Sequence, residues 1–311
     1  MREMDGVVMK YTLPVRGSFL VIAVTLAGES ICLPLARAQQ VELAGLEEDF
    51  ICRSKVEDPR AGSFEENLSA QPTHLGVSVH LPLVLQERTT FLLNSIYWDD
   101  TAFYFRNWDY SQEPNYFERL ISIRYRLGLR HIASESLAWN AFIEPGMASD
   151  AAVWNEGGLS WLAGVKGDFT LSQRQTLGAG VFYLNTFGIN GVYPLLSYDW
   201  QGERASVFLL PPVLASWRYR LNEQCRAGLS CRMVGNEYYI SDDPGGKNWV
   251  RYFAVTAGPE VDWQARFGLG FSLSCGMVFM HRLRWYNADE NIRNIDFEPS
   301  AQVRCGVKYA L

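Results

Sequence analysis

VRCGVKYAL, residues 303–311, is the stretch that decides the fold expected for this chain. Its apolar side chains occupy every second position, and Arg304 and Lys308 stand between them. Because successive side chains of a strand point to opposite faces, the pattern predicts one apolar and one polar face. Lipid requires an apolar outer face, whereas the inside of a barrel accepts polar residues. The stretch is therefore typical of the closing strand of a membrane-spanning antiparallel β-barrel.

The first residues have the features of a secretory signal peptide. Lys10 and Arg16 precede the apolar run FLVIAVTLA (19–27), and Ala36-Arg37-Ala38 fits the small-x-small cleavage pattern. The run is shorter than the roughly 20 apolar residues that a spanning helix needs. We therefore expect residues 1–38 to be a cleaved signal peptide. No later segment is apolar over a comparable length, so a membrane location requires a closed barrel.

Composition supports the same fold class. A mature chain of about 270 residues, with strands of about 10 residues and short turns, predicts about 12 strands and a range of 10–14. The aromatic content of 14%, with 10 tryptophans, suits the aromatic girdles at membrane interfaces. The formal net charge is −6. Such an acidic balance is not the footprint of a nucleic-acid-binding protein.

The chain divides into two parts after the leader. Residues 39–72 are polar and acidic, and we expect a periplasmic N-terminal segment there. Residues 73–311 read as period-two strands of an up-and-down barrel with both ends on the periplasmic side. Pro211-Pro212 falls inside an expected strand at 205–221. Because proline cannot donate to a sheet, we expect a bulge or an inward kink there.

Several stretches resemble a family of outer-membrane β-barrels of unknown function found in Gram-negative bacteria. The resemblance extends over about residues 91–241, about half of the mature chain, and its motifs mark strands rather than a catalytic site. The matching stretches are LNSIYW (93–98), MASD (147–150), GAGV (178–181), YPLLSY (193–198) and FLLP (208–211). The resemblance implies a barrel in the outer membrane and carries over no functional residue. The expected partners are outer-membrane lipid and, through the C-terminal strand, the barrel assembly machinery.

Charged side chains share the phase opposite to the apolar rows, so we expect them to line the lumen. These candidates are Arg124, Arg126, Arg218, Arg220, Arg282, Arg284, Arg304, Lys308, Glu260, Asp262 and Asp168. In one hypothesis the basic rows line an aqueous lumen and favour anionic solutes. In the other, basic and acidic side chains pair across a narrow barrel and plug it, since buried charges must be paired.

The sequence offers little for catalysis or metal binding. His131 and His281, the latter on the expected outward phase, are candidates for a lipid-facing Ser/His pair, but neither has suitable partners at a convincing spacing. We expect no catalytic residue, metal or cofactor. Cys225, Cys231 and Cys275 fall on apolar phases, as does Cys305, and we interpret them as lipid-facing hydrophobes.

The expected function is a passive pore or small-solute transporter in the outer membrane of a Gram-negative bacterium, with an anion preference if the lumen is open. A structural, plugged barrel and a lipid-modifying enzyme remain as alternatives within the membrane. A secreted soluble β-protein is a further alternative, but its apolar residues should then lie on one sheet face only.

Overall fold

Sixteen β-strand segments form one closed sheet in the computed structural model of the protein. The structure describes residues 42–57, 69–86, 89–106, 119–150, 154, 156–185, 190–240, 248–265, 267–287 and 291–310. The strands are β1 (Glu42–Ile51), β2 (Ser54–Glu57), β3 (Ser69–Gln86), β4 (Thr90–Arg106), β5 (Arg119–Ser134), β6 (Leu137–Ser149), β7 (Leu159–Ser172), β8 (Gln175–Leu184), β9 (Gly191–Gln201), β10 (Ala205–Leu210), β11 (Leu214–Arg220), β12 (Cys225–Ile240), β13 (Asn248–Gln264), β14 (Leu269–Asn287), β15 (Asn291–Phe297) and β16 (Ser300–Ala310). The predicted signal peptide, residues 1–38, lies outside the described residues.

The sheet closes by antiparallel pairing of β1 with β16, which brings Glu42 opposite Ala310. β1 and β2 lie in line between β3 and the last strand, and β15 and β16 are likewise in line beside β14. The sixteen segments therefore build 14 barrel strands. The predicted antiparallel barrel is confirmed, and its strand count lies at the upper limit of the predicted range.

The predicted periplasmic segment 39–72 is wrong in its boundary, because β1 and β2 belong to the barrel wall. β1 pairs with β16 on one side and with β3 on the other. Its acidic side chains Glu47 and Asp49 are buried inside the barrel. The acidic composition that suggested a linker thus belongs to a strand whose inner face is charged.

The barrel has a lower tier, the end at which the first and last strands meet and the turns are short. There the outer face is apolar, as Leu127, Leu273 and Val303 illustrate. The inner face is polar, and it holds buried charges such as Arg126 and Lys166. A wall of this kind suits hydrocarbon outside and a polar interior within.

The upper tier, at the opposite end, has the reverse arrangement. Its interior is filled by an apolar plug, which consists of Ile51, Ala70, Phe103, Leu120, Ala148, Tyr238, Ile240, Val250, Tyr252, Ala254, Val278, Leu283, Trp285, Ile295 and Phe297. Its outer face carries ion pairs, including Arg282 with Asp296 at 2.7 Å and Arg251 with Glu237 at 3.2 Å. This tier therefore resembles a water-soluble barrel with an apolar core.

The barrel wall has a gap above the two short strands β10 and β11, and we call this gap the wall notch. β10 and β11 form a short hairpin whose tip is Pro211-Pro212, where the sequence predicted one strand. The pairing of β9 with β10 ends at Tyr198, and that of β11 with β12 ends at Arg232. Among the described residues, 191–197 of β9 and 234–238 of β12 thus have no partner strand on the notch side.

The notch is closed from above by β12, which leaves β11 and reaches β6. Tyr239 pairs with Ser149 in a parallel contact. A short 3-10 turn at Glu156–Gly158 packs beneath this contact, and Trp249 Nε1 donates to Gly157 O at 3.0 Å. The notch therefore has β9 and β12 as sides, the hairpin tip as floor and the β6–β12 contact as roof.

Candidate functional site: the lumen

Buried ion pairs line the lumen where β4, β5 and β6 face the interior. The Arg124 guanidinium contacts Asp99 at 2.7 Å and Glu144 at 3.1 Å. Arg126 contacts the second oxygen of Glu144 at 2.5 Å. These residues come together because the antiparallel register sets Arg124 opposite Gly146, so that Glu144 lies between the two arginines. Burial of Glu144 is tolerated because two guanidinium groups compensate its charge.

The same row of pairs continues onto β7. Lys166 Nζ lies 2.8 Å from Asp168 Oδ1, and Arg130 lies 3.6 Å from the other oxygen of that carboxylate. Asn140 donates its amide hydrogen to Asp168 Oδ2 at 2.6 Å. Lys166 is 1% exposed, so it can remain charged inside the barrel only beside such a partner.

A second row lies on the opposite wall, from β11 round to β1. Arg304 pairs with Asp49 and, at 2.6 Å, with Glu47. Glu260 receives Arg218 at 2.7 Å and Arg232 at 3.2 Å. The two rows together form what we call the charged belt. Its members are Glu47, Asp49, Asp99, Arg124, Arg126, Arg130, Glu144, Lys166, Asp168, Arg218, Arg232, Glu260, Asp262, Arg304 and Lys308.

The belt is nearly neutral. It contains eight basic side chains and seven carboxylates, which leaves a formal charge of +1. A basic lumen that attracts anions requires a larger excess of positive charge. The arrangement is therefore closer to the second hypothesis from the sequence, in which basic and acidic side chains pair inside the barrel.

Most of the predicted lumen residues are members of the belt. The structure places eight of them there, namely Arg124, Arg126, Arg218, Arg304, Lys308, Glu260, Asp262 and Asp168. Arg220 is exposed at the lower end, where its guanidinium donates to the backbone oxygen of Glu203. The sequence analysis did not identify Glu47, Asp49 and Asp99 as lumen residues. Asp99 lies on the inward phase of β4, so the alternating pattern could have predicted it.

Arg282 and Arg284 do not line the lumen, so that prediction is wrong. The pairing of β13 with β14 shifts by one residue at Phe279, since Val255 faces Met280 and the next residue faces Val278. This bulge turns the upper part of β14 by half a period. Both arginines then point outward, whereas His281 is buried at 2% exposure.

A cavity of about 120 Å³ lies between the charged belt and the apolar plug. One side of it is polar and includes Asp99, Ser122 and Arg124. The other side is largely apolar and includes Val213 and Leu214. The described part of the lumen thus offers an amphipathic space rather than a wide aqueous pore.

The histidines do not form a lipid-facing catalytic pair. His281, predicted to face outward, stacks on Phe297 inside the plug with ring centroids 4.0 Å apart. His131 contacts Thr90 Oγ1 at 3.0 Å. The sequence missed a Ser-His-Ser chain in the lumen, in which His80 lies 2.7 Å from Ser78 Oγ and 2.8 Å from Ser95 Oγ.

That chain is poorly suited to nucleophilic chemistry. Both serines are at most 4% exposed, and the two ring nitrogens of His80 are both engaged by hydroxyls rather than by a carboxylate. A triad needs a carboxylate to orient the imidazole and a nucleophile that the substrate can reach. The register that sets His80 opposite Ser95 was the only signal that could have located the chain.

The described ranges contain neither a metal site nor a membrane-spanning helix. No group of three or more His, Cys, Asp and Glu side chains there is placed to hold a metal ion. No helix in that part of the chain has the length and hydropathy to cross a bilayer. Cys231, Cys275 and Cys305 are free and exposed on the outer wall, as predicted, and Cys225 is free and partly buried.

Comparison with solved structures gives barrels of low similarity. The P. putida toluene transporter TodX is 11% identical, with a TM-score of 0.44, over 88% of this chain and 90% of its own. An outer-membrane channel from Pseudomonas putida F1 is 10% identical, with a TM-score of 0.42, over 93% of this chain and 100% of its own. The KdgM porin is 5% identical, with a TM-score of 0.31, over 86% and 99%.

These TM-scores lie below 0.5, so they support no inference about what this chain carries. A comparison with curated proteins found no match. The model of the family described as Domain of unknown function (DUF6268) matches residues 35–309. This match covers most of the chain, and the protein therefore belongs to the DUF6268 family.

Proposed function

We propose that this protein is an outer-membrane channel for small solutes, closed at its upper end by the apolar plug. The observation that carries the proposal is the cavity inside a barrel with an apolar outer wall and a charged inner wall. A barrel that served only as an anchor has no need of fifteen charged residues in its interior, because buried charges cost free energy even when paired.

The near-neutral belt favours weak ion selectivity rather than the anion preference considered from the sequence. Each basic side chain of the belt has a carboxylate within 4 Å, and in the Lys308–Asp262 pair the distance is 3.9 Å. Field focusing depends on unbalanced charge. The size and polarity of a solute therefore decide its passage more than the sign of its charge does.

Single-channel recording in planar bilayers tests the proposal. We expect low conductance for the wild-type protein and at least a fivefold rise for Phe103→Ala combined with Leu283→Ala, which thins the plug. In that plug variant, Lys308→Gln should shift the reversal potential towards cations. Arg282→Gln is the matched control, because this arginine lies on the outer wall and should leave the potential unchanged.

A structural barrel is the second candidate, favoured by the apolar plug itself. It predicts that wild-type and plug-thinned proteins are equally non-conducting, although both show the heat-modifiable gel mobility of folded barrels. That result would contradict a continuous lower lumen and, with it, the channel. Lipid modification by an enzyme has weaker support, because His80 has no carboxylate partner and the Thr101 hydroxyl beside His74, whose ring lies 3.6 Å from Asp99, belongs to a residue that is only 1% exposed.

A further inference from the structure

The wall notch has its floor and its β9 side at the depth of the bilayer. Exposed apolar side chains surround it on the outside, including Val192 and Leu196 on β9 and Leu209 on β10. An aromatic cluster marks its roof, where Trp249 stacks on Tyr286 at 5.9 Å. Aromatic side chains of this kind concentrate at the membrane–water interface. Arg251 pairs with Glu237 on the outside of the β12 edge, so this edge and the roof lie at or above the membrane surface, whereas the floor opens to the outer leaflet.

The inner side of the notch is apolar, although most of the lower lumen is charged. Leu195, Leu210 and Leu214 form a buried cluster there, and Phe182 and Phe208 pack against it. All five point inward from β8–β11. A polar solute would have to lose its water to pass such a lining, whereas an apolar group that moves from the bilayer passes it without a desolvation cost.

Some polar atoms around the cavity behind this lining lack a hydrogen-bond partner. Val213 and Leu214, at the hairpin tip, line both the notch and the cavity. Asp99 Oδ1 and Arg124 Nε on the far wall, and Arg232 Nε opposite Leu214, are buried without a hydrogen-bond partner, and His74 Nε2 lies 3.6 Å from Asp99 Oδ1. Buried polar atoms normally make hydrogen bonds. Three such atoms without a partner around one cavity therefore indicate that a ligand group, able both to donate and to accept a hydrogen bond, binds there.

We propose that the wall notch is a lateral portal, through which a small amphipathic molecule passes between the bilayer and the cavity. The molecule has a compact apolar body and one hydroxyl-like end, which donates to Asp99 and accepts from an arginine. The cavity of about 120 Å³ sets the size. An engineered apolar cavity of about 150 Å³ holds benzene, so the ligand has roughly the bulk of one six-membered ring.

The portal rests on the proposed channel function and names its substrate class. It also gives the solute a route that the apolar plug denies along the barrel axis. A protein strand could instead pair with the open edges of β9 and β12, but it would leave the three orphan atoms unexplained. The test therefore treats a covered notch as a contrary outcome.

Thiol labelling in lipid vesicles tests the portal. In a background with Cys52, Cys225, Cys231, Cys275 and Cys305 replaced by Ala, we compare Val213→Cys with Ser122→Cys. Ser122 lines the same cavity from β5, where the wall is complete. Pyrene maleimide dissolved in the bilayer and a sulfonated maleimide in the water are the two reagents, and heat-modifiable gel mobility verifies folding.

We expect the bilayer reagent to label Val213→Cys at least tenfold faster than Ser122→Cys, and faster than the sulfonated reagent labels it. Cyclohexanol should slow this labelling at least fivefold, whereas inositol, a six-membered ring that is polar all round, should not. Equal rates for both variants, no labelling of either, or no protection by cyclohexanol would each overturn the portal. Conductance of the plug-thinned protein is measured separately, so a failed portal leaves the channel proposal standing or falling by itself.

Discussion

A charge placed on the outer wall of β14 should reveal which solvent surrounds the barrel. Below the bulge, the outward side chains of this strand are Phe271, Leu273, Cys275, Met277 and Phe279. Eight residue steps at about 3.3 Å span roughly 26 Å along the strand, and about 20 Å across a bilayer at a tilt of about 40°. Cys275 is the middle of this row, so it should lie near the centre of the hydrocarbon.

Cys275→Arg should therefore lower the free energy of unfolding by about 2–4 kcal/mol, the cost of arginine at the midplane of an outer-membrane barrel. Cys275→Leu is the control for side-chain bulk and should be nearly neutral. Arg282→Leu, only seven residues further along, removes an ion pair with Asp296 whose partners are about half exposed. Exposed pairs contribute about 0–1 kcal/mol, so its effect should stay within that range.

Guanidinium titrations in phospholipid vesicles, followed by tryptophan fluorescence, give these free energies. We expect a steep difference between Cys275→Arg and Arg282→Leu, because the membrane surface crosses β14 between the two positions. If Cys275→Arg costs less than about 1 kcal/mol in vesicles, the outer wall is not in hydrocarbon. The membrane-spanning interpretation would then be refuted, whatever the sheet topology.

Three further substitutions test the packing of the interior by the same titrations. Glu144→Gln should cost about 3–5 kcal/mol, because two buried guanidinium groups lose their shared carboxylate; a loss below about 1 kcal/mol would mean that water enters the belt. Gly180→Ala should cost about 1–3 kcal/mol, since its Cβ would lie 2.1 Å from Val165 O, whereas Gly128→Ala, with its nearest atom at 3.4 Å, should be nearly neutral. His281→Phe should raise stability by about 1 kcal/mol, because both ring nitrogens are buried without a hydrogen-bond partner, and a marked loss would show that they have one.

The sequence predicted the fold class well because alternation is a local property of each strand. Residues 303–310 are placed as their pattern indicated, with Arg304 inside and Val303 outside. The pattern also identified eight members of the charged belt. It could not identify their partners, because Glu144 meets Arg124 and Arg126 only through the register of β5 with β6. Register depends on turns and on distant strands, which alternation does not describe.

The central estimate of 12 strands was two too low for two physical reasons. The acidic residues of β1 resembled a solvated linker, because a single strand cannot show that its charges will meet Arg304 across a closed seam. Pro211-Pro212 was correctly identified as incompatible with a central strand, but it marks a hairpin tip rather than a bulge. Dividing the chain at these prolines and adding β1 would have given 14 strands.

β14 shows why alternation alone cannot separate inside from outside. Its sequence keeps bulky apolar residues at odd positions from Phe271 to Trp285, so one phase was predicted to face lipid throughout. The surroundings reverse along the strand, since hydrocarbon is outside below the membrane surface and water is outside above it. The bulge at Phe279 rotates the upper residues so that Leu283 and Trp285 enter the plug while Arg282 meets water.

The wall notch follows from the same reversal of surroundings. Unpaired backbone edges are not tolerated in hydrocarbon, where each unsatisfied group costs several kcal/mol. The edges at 191–197 and 234–238 can persist only where water or a solute reaches them. The roof formed by Tyr239 and Trp249 sets the upper end of these edges at or above the membrane surface, and the cavity with its orphan polar atoms lies directly behind their lower end. Two longer strands would have sealed a wall that served only as an anchor. The short β10–β11 hairpin instead leaves a place, within the described part of the wall, where lumen, interface and bilayer meet.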